Sequence, residues 1–456
     1  MNEAVEAFSE NGSLREKAQL ALSKLKDNGV YYLPVLFLKN LVSKPKWAGI
    51  VPVLSLIALL TIVGCFFNKV FFFLLIIVFT VNSGFHYWNK AKINAHLKPF
   101  IQVNNLYAVG NELAKLDIPT IDQRQLKKNL AILKPIVKKL SFIGLNPILQ
   151  NEWVVVVWAI IEYVKITFLL DLNIFYNSLA SIEQKKAQIQ GIFDAIGFVD
   201  SAISIASFRK QLPYYCKPEF ISKDKTLQVE DVYNPLVQHC VPNSLNLSQV
   251  SVLLTGSNMS GKTTFVRTIG LNSILAQTIC TCSAKVYITP FLKTSTSIGI
   301  ADNIVEGKSY YFEEVESVLR LIKESEQNDQ NLFIIDELFK GTNTVERISA
   351  AKSVLSYLTR NRNIVIVSTH DVELTELLSQ EYNLYHFTET IKGEQLYFDY
   401  KLKPGPLATR NAIKLLAIAE YPSSIIQEAL SISTKIDHSL ASVSVKNNKV
   451  NPAKGA

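Results

Sequence analysis

Cysteine is scarce in this chain of 456 residues, and the few cysteines are scattered. They are Cys65, Cys216, Cys240, Cys280 and Cys282. Isolated cysteines do not form the dense disulfide framework of small secreted proteins, so the pattern is typical of a reducing compartment. No second pair of Cys or His follows Cys280 and Cys282 at metal-ligand spacing, which indicates small buried residues there rather than a zinc site.

Charged residues are also few: they make up 19% of the sequence, against 48% hydrophobic residues. The mean hydropathy of +0.17 is high for a wholly soluble protein and predicts a membrane segment. A signal peptide is not expected, because the chain opens with Glu3, Glu6 and Glu10 and its apolar runs begin late. The net charge of +8 and the isoelectric point of about 9.0 permit an anionic partner without identifying one.

Two long apolar runs lie in the first hundred residues. Residues 47–67 are almost uncharged, Asn68 and Lys69 interrupt, and residues 70–85 are apolar again. Each run approaches the roughly 20 residues needed to cross a bilayer. We therefore expect a transmembrane hairpin over 47–87, and the alternative is a buried helical pair in a soluble domain. Lysines on both sides of the hairpin predict that both ends lie in the cytoplasm, with the cell (inner) membrane as the location.

The rest of the sequence divides by pattern into four segments. They are a helical N-terminal segment over 1–46, a mostly helical core over 88–222, alternating strands and helices over 223–434, and a disordered tail over 435–456. Within the helical core, the apolar stretch 153–170 predicts a buried helix, with a third membrane span as the alternative.

The densest basic stretch runs from Lys127 to Lys139. Apolar residues interleave with its lysines at helical spacing, so a solvated helix face is one interpretation. A face that binds nucleic acid and a face that binds anionic lipid headgroups are the other two, and the sequence leaves all three open.

The most informative stretch in the chain follows the apolar run 250–254. It comprises Gly256, Ser257, Asn258, Met259, Ser260, Gly261, Lys262, Thr263 and Thr264. This is the pattern G-x-x-x-x-G-K-[ST], and its flanking runs predict a strand before the glycine-rich turn and a helix after it. Backbone N–H groups of such a turn surround the phosphates of a nucleotide. Lys262 is predicted to reach the β- and γ-phosphates, and Thr263 to place its hydroxyl on Mg²⁺.

Two further apolar runs end in groups suited to the same chemistry. Residues 331–335 lead to Asp336 and Glu337, which are predicted to hold Mg²⁺ and to act as the general base for the attacking water, respectively. Residues 363–367 lead to His370, which is predicted to contact the γ-phosphate or that water. Ligands of open α/β sheets bind at the carboxyl ends of the strands, so these groups are expected at one edge of a parallel sheet.

Together these motifs resemble the ATPase of the MutS mismatch-repair family. The resemblance covers residues 225–434 and rests on the Asn-Met pair at 258–259, Val-Pro-Asn at 241–243, the D-E-x-x-x-G-T signature at 336–342 and S-T-H-D at 368–371. It implies an α/β P-loop NTPase domain of the ABC type, a parallel sheet with flanking helices. An all-α lever-like region and the transmembrane hairpin are expected to precede that domain.

The resemblance also implies ligands and partners. ATP and Mg²⁺ are the expected ligands, and hydrolysis by a homodimer with two composite sites is the expected activity. In the family, a Ser on a Gly-basic-Ser-aromatic turn reaches the γ-phosphate bound by the partner; residues 307–310 match this turn, so the role is carried over to Ser309. Mismatched or branched DNA is the expected substrate class, and residues 47–87 are expected to contact membrane lipid.

The sequence also departs from the family. The membrane hairpin occupies the region where a mismatch-sensing domain would have to fit, so we expect a MutS-type ATPase without that domain. Residues 88–222 suffice for shortened levers but hardly for levers and a clamp. Two functions stay open: a membrane-anchored nucleotide switch that acts on DNA, and a membrane-associated mechanochemical or scaffolding ATPase that does not read DNA.

Overall fold

The computed structural model describes the whole chain apart from residues 26–32, 35, 38–44, 141–151, 223–224, 258, 300–309, 328, 393–394, 408–412, 414–415, 417–418 and 434–456. Two compact units make up the chain, Met1–Lys210 and Gln211–Ala456. The predicted disordered tail over 435–456 lies outside the described residues.

The first unit is built from helices. They are α1 (Asn2–Glu10), α2 (Gly12–Leu22), α3 (Ile50–Gly64), α4 (Val70–Leu113), α5 (Gln123–Leu140), α6 (Glu152–Thr167), α7 (Leu170–Gln184) and α8 (Lys186–Gln211). Short 3-10 turns cover Ser23–Leu25 and Lys46–Gly49. Helix α5 is amphipathic: it buries Leu126, Leu130 and Leu133 and turns its lysines outward, as its spacing predicts.

Helix α4 is the longest element, with 44 residues, and it continues without a break past the apolar run. At about 1.5 Å per residue it is about 66 Å long. The predicted domain boundary at 87/88 falls inside this helix. Residues 90–98, just after it, are rich in lysine and alanine, which are good helix formers and allow the helix to continue.

Three stretches of described helix are long and apolar enough to cross a membrane by length and composition: Lys46–Gly64, Val70–Asn89 and Lys186–Gln211. The first two coincide with the predicted hairpin, whose outward faces carry exposed apolar side chains such as Leu60 and Phe73. Helix α8 differs, because it buries a continuous row of aliphatic side chains within its own unit. Packing of that row is sufficient reason for its apolar composition.

Helix α6 covers most of the stretch for which a buried core helix is predicted. One of its faces is exposed and apolar, and it consists of Val156, Val157, Ile160, Tyr163 and Val164. A core helix buries such residues, so this exposed face differs from what the predicted buried core helix over 153–170 would show. The helix also ends early, at Thr167, because Leu169 adopts a left-handed backbone conformation (φ +46°).

The second unit combines strands and helices. Its strands are β1 (Glu219–Phe220), β2 (Thr226–Val232), β3 (Asn243–Ser248), β4 (Ser251–Gly256), β5 (Val286–Thr289), β6 (Lys293–Ser297), β7 (Asn331–Asp336), β8 (Ile364–Ser368), β9 (Tyr382–Phe387), β10 (Glu389–Lys392), β11 (Gln395–Phe398) and β12 (Lys403–Pro404). Its helices are α9 (Lys262–Ile279), α10 (Tyr310–Ser325), α11 (Thr344–Leu358) and α12 (Glu373–Leu377), with a further helix over 423–433.

A six-stranded sheet in the order β12-β9-β4-β8-β7-β6 forms the centre of this unit. All of its pairs are parallel except β12 with β9. Strands β4, β7 and β8 are buried on both faces, as continuous apolar runs in a parallel sheet should be. Val252 and Leu254 face the cluster that contains α9, whereas Leu253 faces the cluster that contains α10 and α11. Helices therefore cover both faces, as predicted.

A second, mixed sheet in the order β1-β5-β2-β3 was not predicted. Strand β1 pairs in parallel with β5. Just before β1, the backbone of Cys216 forms an isolated antiparallel β-bridge with that of Cys282, and both thiols are free. These pairings bring residues after Lys210 into the second unit. The second unit thus begins before the predicted boundary at 222/223. Two-residue strands such as β1 leave no periodic signal in a sequence.

Candidate nucleotide site

The glycine-rich loop lies between the end of β4 at Gly256 and the start of α9 at Lys262. Gly256 and Gly261 have φ values of +153° and +106°, which L side chains rarely adopt. Gly256 also lies close to other backbone: an added Cβ would be 2.6 Å from the carbonyl oxygen of Phe387. The loop can therefore form only with glycine at this position, and α9 then directs its free N–H groups toward the loop interior.

Replacing Gly256 by Ala is expected to lower the free energy of unfolding by about 2 kcal/mol or more, because it adds a backbone clash to an unfavourable φ. Gly261→Ala is the matched control. It has the same kind of φ penalty, but its nearest neighbour is a ring carbon of Tyr400 at 3.4 Å. Thermal or urea unfolding of both variants measures the difference, and equal losses would contradict the role assigned to the Phe387 contact.

The side chain of Lys262 is buried in the glycine-rich loop and bonded to its backbone. Only 5% of its surface is exposed, and its Nζ donates hydrogen bonds to the carbonyl oxygens of Gly256 (2.8 Å) and Ser257 (2.7 Å). Burial lowers the pKa of this amine to about 8, although the carboxylates of Glu337 and Asp336 act in the opposite direction. An anion placed in the loop would restore the charge that burial disfavours.

Thr263 and Asp336 meet at the carboxyl edge of the sheet. The Thr263 hydroxyl donates to Oδ1 of Asp336 at 3.1 Å, and the Ser368 hydroxyl donates to the same oxygen. Hydroxyl and carboxylate oxygens are hard ligands of the type that Mg²⁺ prefers, and Mg²⁺ sites commonly use one or two protein oxygens together with phosphate oxygens and water. This pair fits such an ion, as the sequence predicts.

Glu337 follows β7 in a left-handed conformation (φ +62°), a strained state for a residue with a side chain. Its N–H donates to the carbonyl of Ser368 (2.9 Å), and its two carboxylate oxygens lie 3.2 Å from His370 Nε2 and 3.2 Å from Lys340 Nζ. Burial would raise the pKa of this carboxyl, but hydrogen bonds and charge from His370 and Lys340 outweigh burial and hold the pKa at about 2. The carboxylate is ionised and occupied by these two partners.

The loop after β8 is fixed at both of its ends. The Thr369 N–H donates to the carbonyl of Leu254 (2.9 Å), which extends the β4–β8 pairing by one residue. Asp371 accepts two hydrogen bonds from Arg347 on α11, at 2.9 Å from Nε and 2.6 Å from Nη2. His370 lies between these anchors, next to Glu337. The structure thus brings His370 and Glu337 together at one edge of the sheet, where the sequence predicts both. Their catalytic roles stay predictions.

A cavity of about 410 Å³ opens beside the loop. Lys262, Glu337 and His370 line it, together with residues 237–241, Asn243 and Tyr400. Tyr400 is a site residue that the sequence does not reveal, since it lies far along the chain after a hairpin and belongs to no motif. Glu389 is a second one: its carboxylate accepts from the Ser257 hydroxyl at 2.5 Å.

The other predicted loop residues are placed as follows. Met259 projects outward and is 82% exposed, Ser260 donates to the carbonyl of Ser257 (2.8 Å), and Thr264 lines the cavity. Asn258 and Ser309 lie outside the described residues, so the structure describes neither the predicted loop amide nor the predicted partner-reaching hydroxyl. Helix α10 begins directly after Ser309, at Tyr310.

Comparison with known proteins agrees with this geometry. A family profile described as MutS domain V matches residues 252–437. The chain is 30% identical over 281 residues to a DNA mismatch repair protein MutS of Geobacillus sp., a match that covers 59% of this chain and 32% of that protein. It is 29% identical over 320 residues to the MutS of Leptospira interrogans, covering 67% and 37%, and 30% identical over 219 residues to that of Thermus aquaticus, covering 47% and 26%.

The chain spans about a third of the length of these relatives. The matches nevertheless include the whole phosphate loop, the Asp336-Glu337 pair and the His370 loop within one α/β unit of the expected topology. That unit is a P-loop domain of the MutS domain V type, and the chain is similar to MutS proteins over about 60% of its length.

Proposed function

We propose that this protein is a Mg²⁺-dependent ATPase that works as a dimeric nucleotide switch. The observation that carries the proposal is a cavity of about 410 Å³ that Lys262, Thr263, Glu337 and His370 line together. Asp336 joins them through its hydrogen bond with the Thr263 hydroxyl. A nucleotide fits a cavity of this size, with its phosphates at the loop and its base toward Tyr400. The base would then lie beside an aromatic ring that can stack on it.

Each residue has a distinct part in this proposal. Lys262 exchanges the carbonyls of Gly256 and Ser257 for phosphate oxygens, which are stronger acceptors. Thr263 and Asp336 hold Mg²⁺, which neutralises charge on the phosphate oxygens when it is bound. His370 donates toward the γ-phosphate or the attacking water, and Glu337 orients that water and takes its proton.

Glu337 is not yet poised as a base in the arrangement described above. A carboxyl with a pKa of about 2 is a weak proton acceptor, since an efficient base has a pKa nearer the operating pH. Releasing the contacts with His370 and Lys340 removes the influences that lower this pKa. We therefore propose that nucleotide and a second copy of the chain together rearrange these contacts, with Ser309 of one copy completing the site of the other.

Nucleotide affinity is expected to fall as pH rises above about 8, because the empty site holds Lys262 with a pKa of about 8. Below that pH the amine is charged before and after binding, so affinity is flat. Above it, binding must take up a proton, and the dissociation constant rises by up to about tenfold per pH unit. Fluorescent-nucleotide titrations measure this. Lys262→Arg, which stays charged throughout, should remove the dependence, and an unchanged profile in that variant would contradict the assignment.

We further propose a DNA-related role at a membrane. The relatives named above are DNA mismatch repair proteins, and α5 presents an exposed basic face made of Arg124, Lys127, Lys128, Lys134 and Lys139. The membrane tether is the α3–α4 hairpin, and both of its ends are assigned to the cytoplasm together with the ATPase unit. The alternative is a scaffolding ATPase at the membrane that does not read DNA. The exposed apolar hairpin supports this alternative equally well, but the basic face of α5 has no role in it.

ATPase rates measured with and without duplex, mismatched and branched DNA separate these two functions. A DNA-acting enzyme should be stimulated, and the stimulation should fade between about 50 and 200 mM salt as phosphate contacts are screened. Comparison of the three DNA forms identifies the preferred structure. Hydrolysis that is indifferent to every DNA at low salt would overturn the DNA role and favour the scaffold.

A further inference from the structure

Cys216 and Cys282 lie directly opposite each other in the second unit, although they are far apart in the chain. Two reciprocal backbone hydrogen bonds join them: the Cys216 N–H donates to the Cys282 carbonyl at 3.0 Å, and the Cys282 N–H donates to the Cys216 carbonyl at 2.9 Å. Antiparallel residues that exchange both bonds have their Cα atoms about 5.5 Å apart. Disulfide-bonded cysteines most often have a Cα separation of about 5.5–6 Å. The backbone at this bridge is therefore already spaced for a bond between the two sulfur atoms.

The two thiols also face the same core. Cys282 is fully buried in the core cluster that contains α9, and Cys216 packs against that cluster from its partly exposed edge. A hydrogen bond with the Cys282 thiol lowers the pKa of Cys216, although the burial of Cys216 acts in the opposite direction. The same bond, together with burial, raises the pKa of Cys282. Cys216 is therefore the thiol that ionises first, while Cys282 keeps its proton.

Neighbouring side chains hold both cysteines in this arrangement. The Tyr233 hydroxyl donates to the carbonyl of Tyr214 at 2.8 Å, and the two rings lie 4.9 Å apart, which fixes the segment that leads to Cys216. Oδ1 of Asn272 on α9 accepts from the N–H of Ser283 at 2.7 Å, which fixes the residue after Cys282. Reacting groups that are held side by side react far faster than the same groups on a flexible chain.

Access to solvent separates the two sulfur atoms into different roles. An oxidant reaches a thiol in proportion to its exposure and its thiolate character, and Cys216 has more of both. Cys282 has an exposed fraction of 0% and is reached only by its neighbour. Cys216 is thus placed for the first attack on an oxidant, and Cys282 for the second step that resolves the oxidised product.

We propose that Cys216 and Cys282 form a thiol modification site that hydrogen peroxide converts reversibly into a disulfide. The Cys216 thiolate attacks one peroxide oxygen, the O–O bond breaks, and the products are a sulfenic acid and hydroxide, which takes up the proton that Cys216 had released. The Cys282 sulfur then attacks the sulfenic sulfur. The S–S bond forms as the S–O bond breaks, and the departing oxygen leaves as water with the Cys282 proton. Two thiols are oxidised by two electrons, and one peroxide is reduced to two waters.

The disulfide would fix the start of the second unit to its core. Cys216 lies shortly after the end of α8 at Gln211, and Cys282 lies shortly after the end of α9, the helix that begins at the glycine-rich loop. A bridge of two backbone hydrogen bonds opens by local fluctuation, whereas a covalent bond does not. The proposed oxidation therefore holds this segment against α9 until a thiol reductant breaks the bond, and it does not depend on the nucleotide chemistry proposed above.

Peptide mapping of the folded full-length chain tests the disulfide. The chain is treated with hydrogen peroxide, alkylated without reductant and digested with trypsin. A peptide that contains Cys216 should be linked to the peptide that contains Cys280 and Cys282, and dithiothreitol should release it. Cys280→Ser is the matched control and should keep the link, whereas Cys216→Ser and Cys282→Ser should lose it. Loss of the link in Cys280→Ser, or a folded parent chain that forms no link, would overturn the proposal.

Hydrogen exchange tests the effect of the bond on the backbone. Oxidation should slow exchange in the peptide around Cys216 by about tenfold or more, because the local opening that exposes its N–H then requires the disulfide to move as well. The same slowing is expected in Cys280→Ser and none in Cys216→Ser after identical treatment with peroxide. Exchange that is equal before and after the link forms would overturn the proposed fixing of this segment.

Discussion

Glu337→Gln is expected to lower the turnover of ATP by about two to four orders of magnitude while leaving ATP binding nearly unchanged. The amide keeps the size of the carboxylate and can still accept from Lys340, so the cavity keeps its shape. It cannot take a proton from water, so the loss falls on the chemical step. Single-turnover hydrolysis and equilibrium nucleotide binding, measured on the same preparation, separate the two effects.

The control for this variant is Glu346→Gln, in the first turn of α11. Glu346 accepts from the Thr342 hydroxyl at 3.0 Å on the exposed surface and does not line the cavity. Its turnover should stay within about twofold of the parent, as is usual for surface changes. Turnover in Glu337→Gln that matches this control would assign proton removal to another group.

Lys262→Met is expected to weaken ATP binding by about two to three orders of magnitude, because it removes charged hydrogen bonds to two phosphates. The variant should still fold. A buried ammonium is unfavourable enough to lower its own pKa to about 8, and a methionine of similar length removes that penalty. Loss of the hydrogen bonds to the carbonyls of Gly256 and Ser257 lowers the free energy of unfolding, whereas removal of the buried charge raises it. The two effects therefore offset each other in part.

Thermal unfolding with and without ATP measures this prediction. At about a hundredfold excess over its dissociation constant, a ligand stabilises the folded state by about 2.7 kcal/mol. The parent should show that shift and Lys262→Met should not, while their midpoints without ATP stay close. An equal ATP-induced shift in both proteins would mean that the phosphates do not bind at this loop.

The parts of the fold that sequence predicts are those with a local cause. Strands β4, β7 and β8 are continuous apolar runs, and the glycines of the loop have no substitute at their φ angles, so the loop and both neighbouring strand ends follow from composition. Strand β6, Lys293–Ser297, is a polar edge strand and gives no such signal. The mixed sheet depends on pairings between β2, β3 and β5 that are distant in the chain.

The site shows the same division. Thr263, Asp336, Glu337 and His370 stand at strand ends and could be placed from the sequence. Tyr400 could not, because its position beside Gly261 depends on how the chain returns after the β10–β11 hairpin. The partner for Glu337 was also missed: Lys340 lies one turn away in a loop, and its effect on the carboxylate requires atomic distances.

One ion pair and one backbone hydrogen bond anchor the His370 loop, and they bear on which group can move when the site changes state. Asp371 is joined to Arg347 by two hydrogen bonds, and the Thr369 N–H is bonded to Leu254 near the carboxyl end of β4, so the backbone of His370 has little freedom to move. We therefore expect the contact between His370 and Glu337 to break by rotation of the Glu337 carboxylate, while the backbone of the His370 loop stays in place.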